Sequence, residues 1–308
     1  GSNYSVLSDW GQETAGVNPM VPGEFTITTT YYYMLNAMAE IASFLGKNVD
    51  AKGFLTQAQN TKKAFNERFY KDGVYEYGQQ SEFAMPLYYG LVDQENEELV
   101  AAKLAERVKK DNYKIKTGEI GLKPLFMSLA KYGYNDIVYQ MANQTDCPSY
   151  GYWVKQGYTT TPEYWDVGAF SQNHCMMDHI EEWFFSQLGG IRNEGNAFDV
   201  IRIEPWIPED MDHLDVTTRS IYGNIRCHYE RGVDNEMNYT FEIPANSQAN
   251  IVLPCLNHQS VFENGKDVKN GEKGVVSVEY KDGKAYLKMG SGNYTLQIKK
   301  KKLQESKR

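Results

Sequence analysis

The chain has 308 residues, 41% hydrophobic and 23% charged, a composition that suits one large or two ordinary globular cores and excludes disordered, collagen-like and coiled-coil chains. Its net charge of −8 is unsuited to a polyanion-binding surface, so nucleic acid is not an expected partner, and the basic run Lys299 to Lys302 reads as a solvated tail. No apolar run approaches the roughly 20 residues of a membrane span.

Gly1-Ser2 resembles a protease-cleavage scar, which leaves the compartment open, with the periplasm or the exterior ranked ahead of the cytoplasm. Four widely spaced cysteines, Cys147, Cys175, Cys227 and Cys255, lack the close pairing of zinc or redox sites, and no cofactor is expected.

In chain order, Met34, Met38, Ile41 and Leu45 recur at helical spacing before the stop at Gly46. Asp50 opens a second helix with Phe54, Ala58, Phe65 and Phe69, turned at Lys71-Asp72-Gly73. Further helices are predicted near Gln80 to Leu91, Asn96 to Lys110, Gly121 to Tyr132, Asn135 to Asn143 and Ser171 to Leu188. Short connections imply antiparallel neighbours, as in a bundle or helical toroid. The segment from Thr145 to Phe170 is the exception: long, rich in Tyr, Trp, Gly and Thr, it reads as a functional loop.

Beyond about Gly195 the period becomes two. Strands are predicted at Val200 to Ile203, Leu214 to Thr218, Asn224 to Tyr229, Met237 to Ile243, Asn250 to Leu253, Gly274 to Tyr280, Lys284 to Met289 and Asn293 to Lys299, with a tight hairpin at Asp282-Gly283. Strands without intervening helices imply an antiparallel sandwich. The expected division is therefore an all-α domain over 1–194 and an all-β domain over 195–308.

The long loop carries the candidate chemistry. Glu163 lies between Pro162 and the rings of Tyr164 and Trp165, where partial desolvation would make it a better base and aromatic faces could hold a sugar. The same pattern fits a Glu163 bonded to loop amides with Trp165 as a core anchor. His174, expected in the first turn of a helix begun by Ser171, could bond sugar hydroxyls or serve as an ordinary packed histidine. Trp10 in Ser8-Asp9-Trp10-Gly11 could stack on a sugar while Asp9 binds hydroxyls, or could cover the end of a bundle.

Asp9-Trp10-Gly11, Thr28 to Tyr33, Thr117-Gly118-Glu119-Ile120-Gly121, Gln144-Thr145-Asp146 with Pro148 to Tyr152, Gly157 to Trp165, Asn173-His174, Glu182-Trp183 and Arg202 to Pro205 together resemble the α-L-rhamnosidases of glycoside hydrolase family 78. That resemblance spans nearly the whole chain. It implies an (α/α)₆ toroid followed by a C-terminal β-sandwich, and hydrolysis of terminal α-L-rhamnose from glycosides or polysaccharides with inversion, by two carboxyl groups and no metal. Glu163 matches the general base; Trp10, Trp165, His174 and Asp9 match the surroundings of the bound rhamnose. Pro162 and the short span from Trp165 to Asn173 depart from the longer loop of many members, which bears on pocket shape.

The family's acidic motif, which holds the general acid, lies upstream of its Asp-Trp motif, and here that motif begins at Asp9. The expectation is therefore a toroid incomplete at its N-terminus, carrying the base and lacking the acid, and either pairing with another copy through uncovered helix faces or standing as a divergent remnant. A non-catalytic carbohydrate-binding protein and a different inverting (α/α)₆ glycosidase are the alternatives.

Overall fold

The computed structural model describes residues 8–166, 168–233 and 236–300, within two compact units, Gly1–Ile180 and Glu181–Arg308. Gly1-Ser2 and the end of the basic run, Lys301-Lys302, lie outside the described residues.

The first unit is helical: α1 (Gly23–Phe44), α2 (Asn48–Phe69), α3 (Gln80–Tyr89), α4 (Glu97–Lys110), α5 (Glu119–Lys131), α6 (Asn135–Asn143) and the short α7 (Tyr150–Lys155). The first two form the expected hairpin, closed by the small ribbon of β1 (Tyr70–Lys71) and β2 (Val74–Tyr75), whose turn residues Asp72 and Gly73 both take the left-handed φ that such a tight connection demands. Phe25, Phe65, Phe69 and Tyr75 pack ring against ring at its base, with Phe25 and Phe65 4.8 Å apart.

The packing of α1 differs from its periodicity. Met34, Met38, Ile41 and Leu45 are 44–60% exposed, whereas Leu35, Ala39 and Ala42 are buried. This helix carries two apolar stripes, and the one with alanines lets a neighbouring helix approach more closely. By contrast α3 is buried on nearly every side from Gln80 to Leu87 and lies beside α1, α4 and α5. Its start is capped reciprocally by Gln79 and Glu82, whose Oε2 accepts from the backbone of Tyr77 and of Gln79 at 2.9 Å each.

The single helix expected over Ser171 to Leu188 is absent. Residues 171–174 are not helical, since the carbonyl of Ser171 and the amide of His174 bond the long loop, and a 3₁₀ turn (Cys175–Met177), the short α8 (Ile180–Trp183) and a π-helical turn (Phe184–Leu188) follow.

The second unit holds β3 (Ile191–Asn193), β4 (Val200–Ile203), β5 (His213–Ser220), β6 (Gly223–Arg231), β7 (Met237–Ile243), β8 (Gln248–Pro254), β9 (Gln259–Glu263), β10 (Lys266–Asp267), β11 (Val275–Lys281), β12 (Lys284–Met289) and β13 (Gly292–Lys300). They form a six-stranded sheet ordered β10-β9-β13-β7-β6-β5 and a five-stranded sheet ordered β11-β12-β8-β4-β3. All pairs are antiparallel except β4 with β8. Alternate residues such as Tyr239, Phe241 and Ile243 fill the core between the sheets, with Cys227 and Cys255 among them. The Asp282-Gly283 turn closes β11 onto β12 with both φ positive, as the sequence signalled. Among the described residues, no helix is long and apolar enough to cross a membrane.

Candidate active site

The site is built on the first turn of α5. Helix starts leave backbone N–H groups unpaired, and here a distant carboxylate takes them: Asp9 Oδ1 accepts from Ile120 N and Gly121 N at 2.9 Å each, and Oδ2 from Gly118 N at 2.8 Å and Ser81 Oγ at 2.5 Å. Asp9 is completely buried, and burial raises its pKa although all four bonds pull the other way.

The approach requires glycine at two positions. A Cβ on Gly118 would stand 2.1 Å from the carbonyl oxygen of Trp10, and one on Gly121 would stand 2.6 Å from Asp9 Oδ2. Buried Gln12 and Gln80 complete the support. Gln12 bonds Ser81 and the carbonyl of Lys116, and Gln80 bonds the carbonyl of Lys114 and the amide of Lys116.

With Asp9 anchored, Trp10 is placed next to Glu119, whose backbone N–H donates to the Trp10 carbonyl at 2.9 Å. The indole of Trp10, 38% exposed, donates from Nε1 to Glu163 Oε1 at 2.9 Å. No described residue donates to Glu163 Oε2. Tyr164 sets its ring 6.4 Å from that of Trp10, tilted by 44°, so two half-exposed aromatics flank one carboxylate. Burial and then the negative charges of Glu163, Glu13, Asp166 and Glu119 hold the Tyr164 hydroxyl protonated to higher pH than usual.

The long loop holds Glu163 through two anchors. Ser149 Oγ caps α7 by accepting from Tyr152 N, and Trp153 on that helix stacks on Trp165 at 4.6 Å and 12°. Trp165 is fully buried, donates Nε1 to the Thr117 carbonyl at 2.7 Å, and accepts Trp153 Nε1 on its own carbonyl. The loop then bonds the segment 171–174: Glu163 N donates to Ser171 O at 3.1 Å and His174 N to Thr161 O at 2.7 Å. That pairing brings His174 to the site, where its Nε2 lies 2.5 Å from Glu119 Oε1.

The five residues singled out by sequence thus converge, in two different ways. Glu163, Trp10 and His174 present partly exposed side chains. The sugar contact expected of Asp9 and Trp165 is unavailable to side chains with no exposed surface; one pins the start of α5 and the other backs the loop, which is the core-anchor alternative for Trp165. His174 is not in a helical first turn; it precedes a 3₁₀ turn with extended backbone angles. Sequence reasoning passed over the side chain of Glu119. Glu119 stood in a quoted motif, but nothing local shows that its side chain meets a histidine 55 positions later. Burial raises the Glu119 pKa; His174 opposes this, and the charges of Glu163 and Asp9 add to it.

Two family models match this chain. Residues 2–188 match the family model of the bacterial α-L-rhamnosidase six-hairpin glycosidase domain, and residues 190–267 that of the bacterial α-L-rhamnosidase C-terminal domain. Among curated proteins, an α-L-rhamnosidase of Formosa agariphila is 27% identical over 95% of this chain and 32% of its own length. One of Streptomyces avermitilis is 24% identical over 94% and 28%. The solved α-L-rhamnosidase of Dictyoglumus thermophilum superposes with a TM-score of 0.84 at 26% identity, covering 95% of this chain and 34% of that one. The Streptomyces avermitilis enzyme, solved with L-rhamnose, superposes with a TM-score of 0.83 at 22% identity over 95% and 28%. This chain spans about a third of the length of the curated relatives it matches.

Proposed function

The chain belongs to the bacterial α-L-rhamnosidase family, and from that membership we propose that it carries the general-base half of an inverting glycoside hydrolase that releases terminal α-L-rhamnose from glycosides or polysaccharides. The observation that carries the reading is the Trp10–Glu163 hydrogen bond. It orients the carboxylate and occupies Oε1, leaving Oε2 to take a proton from water as that water attacks the anomeric carbon. Trp10 and Tyr164 supply faces for the C–H side of a sugar, and His174 supplies a polar contact. Asp9 and Trp165 act behind them by fixing backbone.

Inversion needs a second carboxyl roughly 6.5–9.5 Å from the base, with room for the water between them. Glu119 is committed to His174 and Asp9 to four donors, so neither is free to protonate a leaving group. The reading therefore draws the general acid from a portion of the relatives' length that this chain does not match. It takes 1–194 as part of the catalytic barrel and 195–308 as the sandwich domain. The exposed stripe of Met34, Met38, Ile41 and Leu45 supports pairing between copies, and a monomer by light scattering would count against that part.

The test is hydrolysis of an aryl α-L-rhamnoside with a good leaving group, which needs little acid assistance. This chain, its Glu163→Gln variant and an N-terminally extended form are compared. Turnover in this chain that falls by about a hundredfold or more in Glu163→Gln supports the base assignment. Turnover only in the extended form supports a base that needs the rest of the barrel. Rhamnose binding without turnover in any form, unaffected by Glu163→Gln, would replace the enzyme reading with a carbohydrate-binding one.

A further inference from the structure

We propose that Glu119 is the positioning residue of this site, a single side chain and amide that fix both flanks of Glu163. Its catalytic meaning rests on Glu163 being the base, but its geometry does not. The Glu119 backbone N–H holds the carbonyl of Trp10 at 2.9 Å, and Trp10 holds Glu163 Oε1 at 2.9 Å. On the other flank Glu119 Oε1 lies 2.5 Å from Nε2 of His174, whose backbone N–H donates to the carbonyl of Thr161, two residues before Glu163. Glu119 can act as a fixed point because the amides on either side of it, Gly118, Ile120 and Gly121, are all tied to the Asp9 carboxylate. Its side chain is only 10% exposed, so water competes little for the contact with His174.

The contact decides which edge of His174 a ligand meets. Oε1 of Glu119 is buried and has no other hydrogen-bond partner among the described residues, so with Glu119 ionised the proton that satisfies it sits on Nε2. The other nitrogen, Nδ1, lies 3.4 Å from Ser171 Oγ. A sugar hydroxyl that bonds the ring in this neutral tautomer donates to Nδ1, in competition with Ser171. Glu119 thus performs for the imidazole what an orienting carboxylate performs in metal and acid–base sites: it selects the tautomer and stops ring rotation.

The experiment uses the full chain labelled with ¹⁵N-histidine and ¹⁵N-tryptophan, and needs no ligand. The His174 Nε2–H, assigned by its disappearance in His174→Gln, should appear as a solvent-protected resonance. Glu119→Leu should speed its exchange by about tenfold or more, the factor expected for one lost charge-assisted bond, while Glu119→Gln, which retains an oxygen acceptor, should restore most of the protection. The Trp165 Nε1–H, bonded to Thr117, reports that the fold is intact. If Glu119→Leu does not fold, Glu119→Asp, which withdraws the carboxylate by one methylene, should show the same loss. A wild-type chain without a protected Nε2–H, or protection unchanged in Glu119→Leu or Glu119→Asp, overturns the proposal.

A second arm titrates L-rhamnose. Glu119→Leu and His174→Gln should each weaken binding by about tenfold and the double variant by no more than either alone, because both break one unit. Additive losses would overturn the positioning role. A wild-type chain that binds no L-rhamnose, yet shows the expected Nε2–H behaviour, would support the Glu119–His174 pairing and move the titration to the N-terminally extended form, where absence of binding would count against the rhamnosidase reading.

Discussion

Replacing Asp9 separates a sugar ligand from an architectural carboxylate. In Asp9→Asn the new oxygen can keep the amides of Ile120 and Gly121, and the new NH₂ can donate to Ser81 Oγ, which is able to turn and accept. The N–H of Gly118 then faces another donor. One buried amide left unpaired costs about 1–3 kcal/mol, and lost attraction to the start of α5 adds about 0.3–1 kcal/mol. Removing a buried charge whose pKa is raised by desolvation returns part of this, so the net loss is about 2 kcal/mol. Asp9→Ala strands three amides and a hydroxyl, and the loss rises to about 4 kcal/mol or more, a large share of the roughly 5–15 kcal/mol that holds a domain together. The assay is urea unfolding followed by tryptophan fluorescence, together with hydrogen exchange at Gly118, Ile120 and Gly121, whose protection should fall first. Both variants unfolding within about 0.5 kcal/mol of wild type, with rhamnose binding lost, would refute the architectural role and return Asp9 to the sugar pocket.

Three further outcomes follow from the same geometry. Gly118→Ala should cost about 3 kcal/mol in urea unfolding, because its methyl group has no room beside the Trp10 and Asp9 carbonyls; a near-neutral effect would mean that this approach is looser than described. Burial lifts the Glu82 pKa to about 7 from 4.5, so the folded state holds the extra proton and stability should fall as pH rises through that window, by about 3 kcal/mol at most. Glu82→Gln, which can keep both bonds now made to Oε2, should flatten that slope in unfolding curves at pH 4.5 to 8; an unchanged slope would place its origin elsewhere. Trp10→Phe keeps a ring but removes the donor to Glu163, and should lower kcat by about tenfold while KM moves little; a rise in KM alone would show that Trp10 only stacks.

Much of this protein was legible in order along the chain. The change from a period of three to four residues to a period of two separates helices from strands without any tertiary information, because each reports which face of its own element is apolar. Asp282-Gly283 placed a hairpin because its two left-handed φ values are a local steric demand. The unusual composition of 145–170 marked the loop that carries Glu163, and the clustered motifs marked the family.

What the sequence could not decide is which groups meet. Periodicity found an apolar stripe on α1, but the alternative stripe of Leu35, Ala39 and Ala42 is the buried one, since burial depends on where a neighbouring helix lies. Residues 171–174 have a helix-compatible pattern, yet they are not helical because the loop offers the Ser171 carbonyl and the His174 amide partners at Glu163 and Thr161. Asp9 and Trp165 are polar and aromatic in a sugar-binding motif, and only the fold shows that the amides of α5 and the ring of Trp153 consume them. Glu119 meets His174 because Asp9 fixes the start of α5 and the loop pairing fixes His174. Hydrogen bonds between residues far apart in sequence leave no periodic trace, so local pattern determined the elements and tertiary structure alone determined the site.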